Sequence, residues 1–184
     1  MPLSRELPHE PLDEAIRYQG LMPLAWRASS QALTDAELQS ASDANVSLLD
    51  AVMIMDMPAS LENDDRDVSS LELHRLQAKV DLLVSMVSRL LSYHEHQPVP
   101  VMVSLTASRV TWQGVLPVQP GDVGIMDVYV HPMALSPLQL PVVIRDASSA
   151  EIQGLQPVAL NAFEKFLFRQ HRRQVAGARQ ARSA

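Results

Sequence analysis

The side chains of this chain best suited to chemistry are histidines, and their spacing does not build a site. His94 and His96 flank Glu95, a set of residue types that can ligate zinc. Ligands on a helix need three- or four-residue spacing to share a face, which alternating neighbours do not have. Histidines at the end of a helix also suit its dipole without any metal, so these three are read as structural. His9, His74, His131 and His171 have no adjacent acid in a known catalytic pattern, and the six glycines show no phosphate-loop spacing. An enzyme needs a nucleophile with its base, paired carboxylates or a phosphate cradle. None is visible, so no catalytic residue, metal or cofactor is assigned and the chain is expected to be non-enzymatic.

Composition narrows the classes further. The 184 residues fit one compact domain with extensions. There is no cysteine, which excludes disulfides and thiolate zinc and suits a reducing cytoplasm. Met1 to Glu6 runs into acidic, proline-containing sequence without the apolar stretch of a signal peptide. Val80 to Leu91, the most apolar region, carries Asp81, Ser85, Ser88 and Arg89, short of the roughly 18 apolar residues a membrane span requires. A soluble, cytoplasmic protein is expected. A net charge of −6 argues against nucleic acid as partner. The charge is nonetheless divided: acids dominate from Asp35 to Asp67, while Arg169, Arg172, Arg173, Arg179 and Arg182 follow Lys165 with no acid among them. That basic end either stays solvated or meets an anionic partner.

The elements that would position these groups can be read from periodicity. Pro11-Leu12-Asp13-Glu14 resembles a helix start, and Thr34 with Glu37 three residues later forms a capping box for a helix from Asp35. Leu38, Ala41, Asn45, Leu48, Leu49, Val52 and Met55 give that helix one face, which stops before Pro58. Residues 60–70 read as an acidic connector.

Leu73, Leu76, Val80, Leu83, Val87 and Leu90 then repeat at alternating three- and four-residue steps. This heptad seam places Leu73, Val80 and Val87 at position a and Leu76, Leu83 and Leu90 at d. Val84 and Leu91 at e and Met86 at g widen the stripe beyond what one partner helix covers. Either several helices join or a domain packs alongside; the plainer reading is an amphipathic helix on its own core. Homo-oligomerisation is expected, with a tetramer favoured over a dimer. The helix ends by Gln97 because Pro98 and Pro100 follow.

Beyond Pro100 the period changes to that of strands. Residues 99–105, 109–115, 124–130 and 140–145 are short, β-branched and bounded by turn residues such as Pro120-Gly121-Asp122. Strands at this spacing indicate a small antiparallel barrel or sandwich. Leu160, Phe163, Phe166, Leu167 and Gln170 share one face of a closing helix, whose aromatics would plug an end or side of the barrel.

From Val99 to Arg173 the sequence resembles the PilZ family, bacterial β-barrels known as receptors for cyclic di-GMP. The resemblance rests on Val103 to Trp112, the Pro120-Gly121-Asp122 turn and the Phe163 to Arg173 helix. Leu21-Met22-Pro23-Leu24-Ala25-Trp26 and the heptad helix look like the atypical, tetrameric xanthomonad branch of that family. The resemblance implies an α+β fold, with a PilZ-like barrel and C-terminal helix preceded by N-terminal helices, one of them a long coiled coil. The expected division is a helical extension and acidic connector over 1–70, the oligomerisation helix over 71–97, barrel and closing helix over 98–175, and a basic flexible tail over 176–184.

The family's ligand site has two arginines before the first strand, and Ser92 to Pro98 contains none. The family's second element, an aspartate or asparagine, any residue, serine, two residues and glycine, would map to Ser104, Thr106 and Arg109; only the hydroxyl is kept. Cyclic di-GMP is therefore not expected to bind in the usual way, the alternative being a non-standard site that uses Arg109. The resemblance implies an adaptor in type IV pilus function, motility or virulence signalling, acting on a protein partner. Trp112, Met126, Tyr129, Arg169, Arg172 and Arg173 are candidates for the contact surface.

Overall fold

The computed structural model describes residues 16–56, 76–77, 80, 83, 87, 98–132, 134 and 136–182. Six strands form a closed antiparallel barrel: β1 Tyr18–Ala28, β2 Pro100–Leu105, β3 Arg109–Trp112, β4 Val123–Val128, β5 Leu138–Asp146 and β6 Ser149–Ile152. Their order around the barrel is β1-β2-β3-β6-β5-β4, closing back on β1. Two helices, α1 Asp35–Met55 and α2 Pro157–Arg182, pack together outside it.

The alternation expected of β2 to β5 is present. Val103, Leu105, Val110, Trp112, Met126, Leu140, Val142 and Ile144 point into a core that leaves each less than a twentieth exposed. The turn before β4 has Pro120 second and Gly121 third, with the Asp122 amide donating to the Gln119 carbonyl at 3.0 Å. Gly121 has φ +94°, the left-handed value that the third position of a type II turn demands.

Three expectations need correction. Leu21 to Trp26 is not part of a helical extension: it is the middle of β1, so the barrel begins long before residue 98. The deciding feature is the two-residue period, with Met22 and Leu24 buried while Leu21 is 71% exposed. β1 closes the barrel by pairing on both sides in succession, Tyr18–Pro23 with β2 and Leu24–Ala28 with β4. At that seam Gly124 lies so close that an added Cβ would sit 2.2 Å from the Arg27 carbonyl oxygen. The second correction is β6, a four-residue strand that pairs β3 with β5. The third is the basic tail, which is helical through Arg182 rather than a flexible end. Ala176, Ala178, Arg179, Gln180 and Ala181 are good helix formers, and no proline interrupts them. The helix start read at Pro11 and the connector over 60–70 lie outside the described residues.

α1 has the capping box its sequence announces: the Glu37 amide donates to Thr34 Oγ1, and the Thr34 amide donates to Glu37 Oε2. Its buried face carries Ala41, Leu48, Leu49 and Val52, with a polar group, Asn45, only 1% exposed among them. β6 reaches β5 only from Val142 onward, so Gln139 has no strand partner on that side. Asn45 takes the place of one. Its Nδ2 donates to the Gln139 carbonyl at 2.6 Å, and its Oδ1 accepts from the Gln139 amide at 2.7 Å. Phe163, Phe166 and Leu167 of α2 complete the core, with Tyr18 meeting Phe166 edge-on at 5.6 Å between ring centroids.

Asn45→Ala is expected to cost about 1–3 kcal/mol in urea unfolding, because it leaves both part-buried backbone groups of Gln139 without a partner. A chain truncated to begin at residue 30 lacks β1, so it should lose the cooperative unfolding transition of the full chain and associate through the opened β2 and β4 edges.

Candidate functional site

The positions corresponding to the PilZ ligand motif lie at the β2–β3 hairpin, where they are already partnered. Ser104 faces outward on β2 and its Oγ accepts from Gln19 Nε2 at 3.3 Å. Thr106 Oγ1 accepts from the Arg109 amide at 3.0 Å, and the Thr106 amide donates to the Arg109 carbonyl at 2.9 Å. The hydroxyl that would contact a ligand therefore closes the turn. Arg109 stands opposite Glu151 in the β3–β6 register. Glu151 also receives Arg145, whose Nε lies 2.7 Å from its carboxylate. The Arg145 hydrogen bonds hold the Glu151 carboxyl below its ordinary value against a small opposing effect of burial, with the charges of Arg145 and Arg109 adding to the shift. The Thr106 hydroxyl and the Arg109 backbone are thus engaged within the hairpin, while the Arg109 side chain is exposed.

Among the described residues, a larger polar cluster lies at the C-terminus of α1. α1 contains no base in its last turn, so its exposed carbonyl end lacks the cation it favours. α2 supplies it. Arg169 Nη1 donates to the Met53 carbonyl at 3.1 Å and its Nη2 to the Asp56 carbonyl at 2.9 Å. Gln170 Nε2 donates to Asp56 Oδ2 at 2.8 Å, and Arg173 Nη1 reaches the same oxygen at 2.5 Å while its Nη2 binds the Asp56 carbonyl. His131, following β4, approaches Asp56 Oδ1 at 4.0 Å. Burial raises the Asp56 carboxyl, but the hydrogen bonds from Arg173 and Gln170 and the charges of Arg173 and His131 outweigh it and hold the group below its ordinary 3.8. Two of the basic residues offered above as contact candidates therefore lock α1 to α2. Asp56 was not singled out in the sequence; the signal was an acid just ahead of Pro58, matched by arginines four residues apart at 169 and 173.

The remaining candidates divide. Trp112 and Met126 are core residues, 4% and 0% exposed, which removes them from any contact surface; their strand positions point inward. Tyr129 is half-buried. Arg172 is exposed, its guanidinium 5.7 Å from the centre of the Phe168 ring. Of the heptad seam, Leu76, Val80, Leu83 and Val87 are helical and lie between 46% and 60% exposed. Leu73, Val84 and Leu90 lie outside the described residues, as do His9, His74, His94, Glu95 and His96. Among the described residues no group of three or more His, Asp or Glu side chains converges as metal ligands, and no helix is long and apolar enough to cross a membrane.

The Asp56 junction carries a pH dependence of known sign. A carboxyl held below its ordinary value stabilises the fold fully above about pH 3.8, and that contribution is lost as pH falls through the lower folded-state value. Asp56→Asn is expected to flatten this acid limb in thermal melts recorded across the range, and to cost about 1–3 kcal/mol at neutral pH through the lost charge-assisted hydrogen bonds.

Comparison with known proteins agrees with this architecture. No curated protein matches the chain significantly. A solved structure of a pathogenic protein from Xanthomonas campestris, a tetrameric PilZ domain self-assembled via an unusual helical bundle, matches with a TM-score of 0.63. Identity is 21%, over 88% of this chain and 91% of that one. The sequence profile described as "Atypical PilZ domain, cyclic di-GMP receptor" matches residues 48–180. With a closed six-stranded barrel, a closing helix and a family profile spanning most of its length, the chain belongs to the atypical PilZ domain family.

Proposed function

We propose that this protein is a non-enzymatic adaptor in bacterial signalling, for type IV pilus function, motility or virulence, in which a helical seam gathers several PilZ barrels into one particle. The observation that carries the reading is the exposed apolar row Leu76, Val80, Leu83 and Val87, four large side chains about half open to solvent at heptad spacing on helical backbone. An apolar stripe of this kind gains stability when a like stripe covers it, and Leu73, Val84 and Leu90 extend it in the sequence. The width added by Val84, Met86 and Leu91 favours four helices over two. Assembly of the Xanthomonas campestris protein through a helical bundle supports the same arrangement. Grouped barrels would engage a protein partner through several weak contacts at once, so avidity replaces one strong site.

Although the family profile is that of a cyclic di-GMP receptor, the usual ligand groups are lacking. The stretch Ser92 to Pro98 ahead of β2 contains no arginine, and each missing charged anchor is worth about 1.5–3 kcal/mol. Thr106 and Arg109 serve the hairpin instead. The second reading, a cyclic di-GMP receptor with a non-standard site, draws on the exposure of Arg109 and on the family's own description.

Light scattering coupled to size exclusion tests both readings on the intact protein and on a Val80→Asp, Leu83→Asp variant, each with and without cyclic di-GMP. The expected outcome is a tetramer that falls to monomer in the variant and ignores the nucleotide. A monomeric intact protein would return the seam to its own core, and a nucleotide-dependent mass or micromolar calorimetric binding would favour the receptor.

A further inference from the structure

We propose that the outward face of α2 centred on Phe168, Arg172 and Val175 is the adaptor's docking surface for an acidic amphipathic helix of a protein partner. The proposal rests on the adaptor reading above and names its contact.

The inner face of α2 is spent on the core through Ala159, Phe163, Phe166 and Leu167. From Arg172 to Ala181 every residue is exposed, although Gln174 still bonds the Gln19 backbone of β1 and Arg173 bonds Asp56. A helical stretch of that length is marginal by its own propensity and gains from a packed partner. Its outward face is not uniformly polar. Phe168 is 49% and Val175 38% exposed, seven residues apart and on the same side as Arg172. The Arg172 guanidinium lies over the Phe168 ring, which orders a long side chain before any partner arrives.

Two shallow grooves run along this face. One of about 440 Å³ is lined by Phe168, Arg169, Arg172, Arg173 and Ala176; the other, of about 380 Å³, by His171, Arg172, Val175, Ala176 and Arg179. They share Arg172 and Ala176, and so form one track from residue 168 to 179 with a small side chain at its middle. Such a track matches a helix laid along it, apolar residues against Phe168 and Val175. No acid lies on the track, whereas arginine forks are matched to carboxylates. Arg169 and Arg173 remain bonded to α1 and add positive potential from fixed positions.

An anionic membrane is the other partner a basic helix can meet, but a membrane-lying helix needs a broad apolar face. Here that face is buried in the core, and the outward side offers only Phe168, Val175 and, at the far end of the helix, Val158 as exposed large apolar side chains. The net charge of −6 and the base-free acidic α1 packed alongside oppose any extended polyanion.

The test is fluorescence anisotropy on the full chain with a labelled amphipathic peptide of about 18 residues, leucines at three- and four-residue spacing flanked by glutamates. A counterpart has every glutamate replaced by glutamine. The acidic peptide should bind at least tenfold more tightly than its counterpart, and weaken with salt. Arg172→Glu and Phe168→Ser should each lose at least tenfold, with Arg172→Gln intermediate, while melting temperatures stay within a few degrees of the parent. Equal affinity for the two peptides, unchanged binding by Arg172→Glu, or retention on phosphatidylglycerol vesicles without peptide binding would each overturn the proposal. Light scattering on the same samples separates the two readings. A tetramer that binds no peptide sinks the docking surface alone, and a monomer that binds it sinks the seam alone.

Discussion

Two backbone groups on β5 that β6 does not reach, the amide and carbonyl of Gln139, govern how the helical layer sits on this barrel. A closed barrel normally removes every sheet edge, but β6 is only four residues long and leaves β5 uncovered near its start. Buried backbone groups must find partners, and Asn45 supplies both a donor and an acceptor from the buried face of α1. One side chain thus fixes the rotation of α1 about its axis. With Asn45 turned inward, Leu48, Leu49 and Val52 enter the core, and the helix ends where Asp56 faces α2. Ser42, a turn earlier, accepts from the Gln156 amide at the entry to α2, so the same face of α1 also sets where the second helix begins.

The division of charge between the helices follows from that placement. α1 carries acids and no base in its last turn, and the arginines of α2 complete it across the interface. Because the ion pair and hydrogen bonds meet at a helix terminus, they couple the end of one element to the middle of another. The same economy appears at the β2–β3 hairpin, where Thr106 and Arg109 hold a turn. At the helix junction the arginine side chains, and at the hairpin the Thr106 hydroxyl, are engaged by the fold itself. What remains outward is the side of α2 away from the barrel and the apolar row at residues 76 to 87.

Much of this was legible because local signals agreed with tertiary needs. The Thr34–Glu37 box, the period of α1, the β-branched runs of β2 to β5 and the Pro120-Gly121 turn all depend on neighbours in sequence. β1 was not legible as a strand. Leucine, methionine and alanine are helix formers and Pro23 is awkward within a strand, so only the alternation around Met22 and Leu24 betrayed it. β6 was too short, and its Ser-Ala-Glu-Ile sequence too mixed, to stand out. The arginines of α2 read as a charged tail because their targets, the carbonyls of Met53 and Asp56, lie more than a hundred residues away in sequence. The PilZ motif positions could be found by spacing, whereas their structural employment at the hairpin depends on backbone geometry that spacing does not reveal.

The two-sided pairing of β1 has a consequence for synthesis. Gln19 meets Ser104 across 85 residues of chain, and Arg27 binds Asp127 across 100. As the chain leaves the ribosome, β1 is made before either partner: its first half has nothing to pair with until β2 has followed, and its second half waits for β4. Throughout that interval its apolar inner face and bare edge are open to other nascent chains. High sequence separation of this kind also slows closure once the chain is complete. The charged arginine on β1, which grips Asp127 through two hydrogen bonds at 2.5 and 2.8 Å, has no partner to latch onto until β4 has been made.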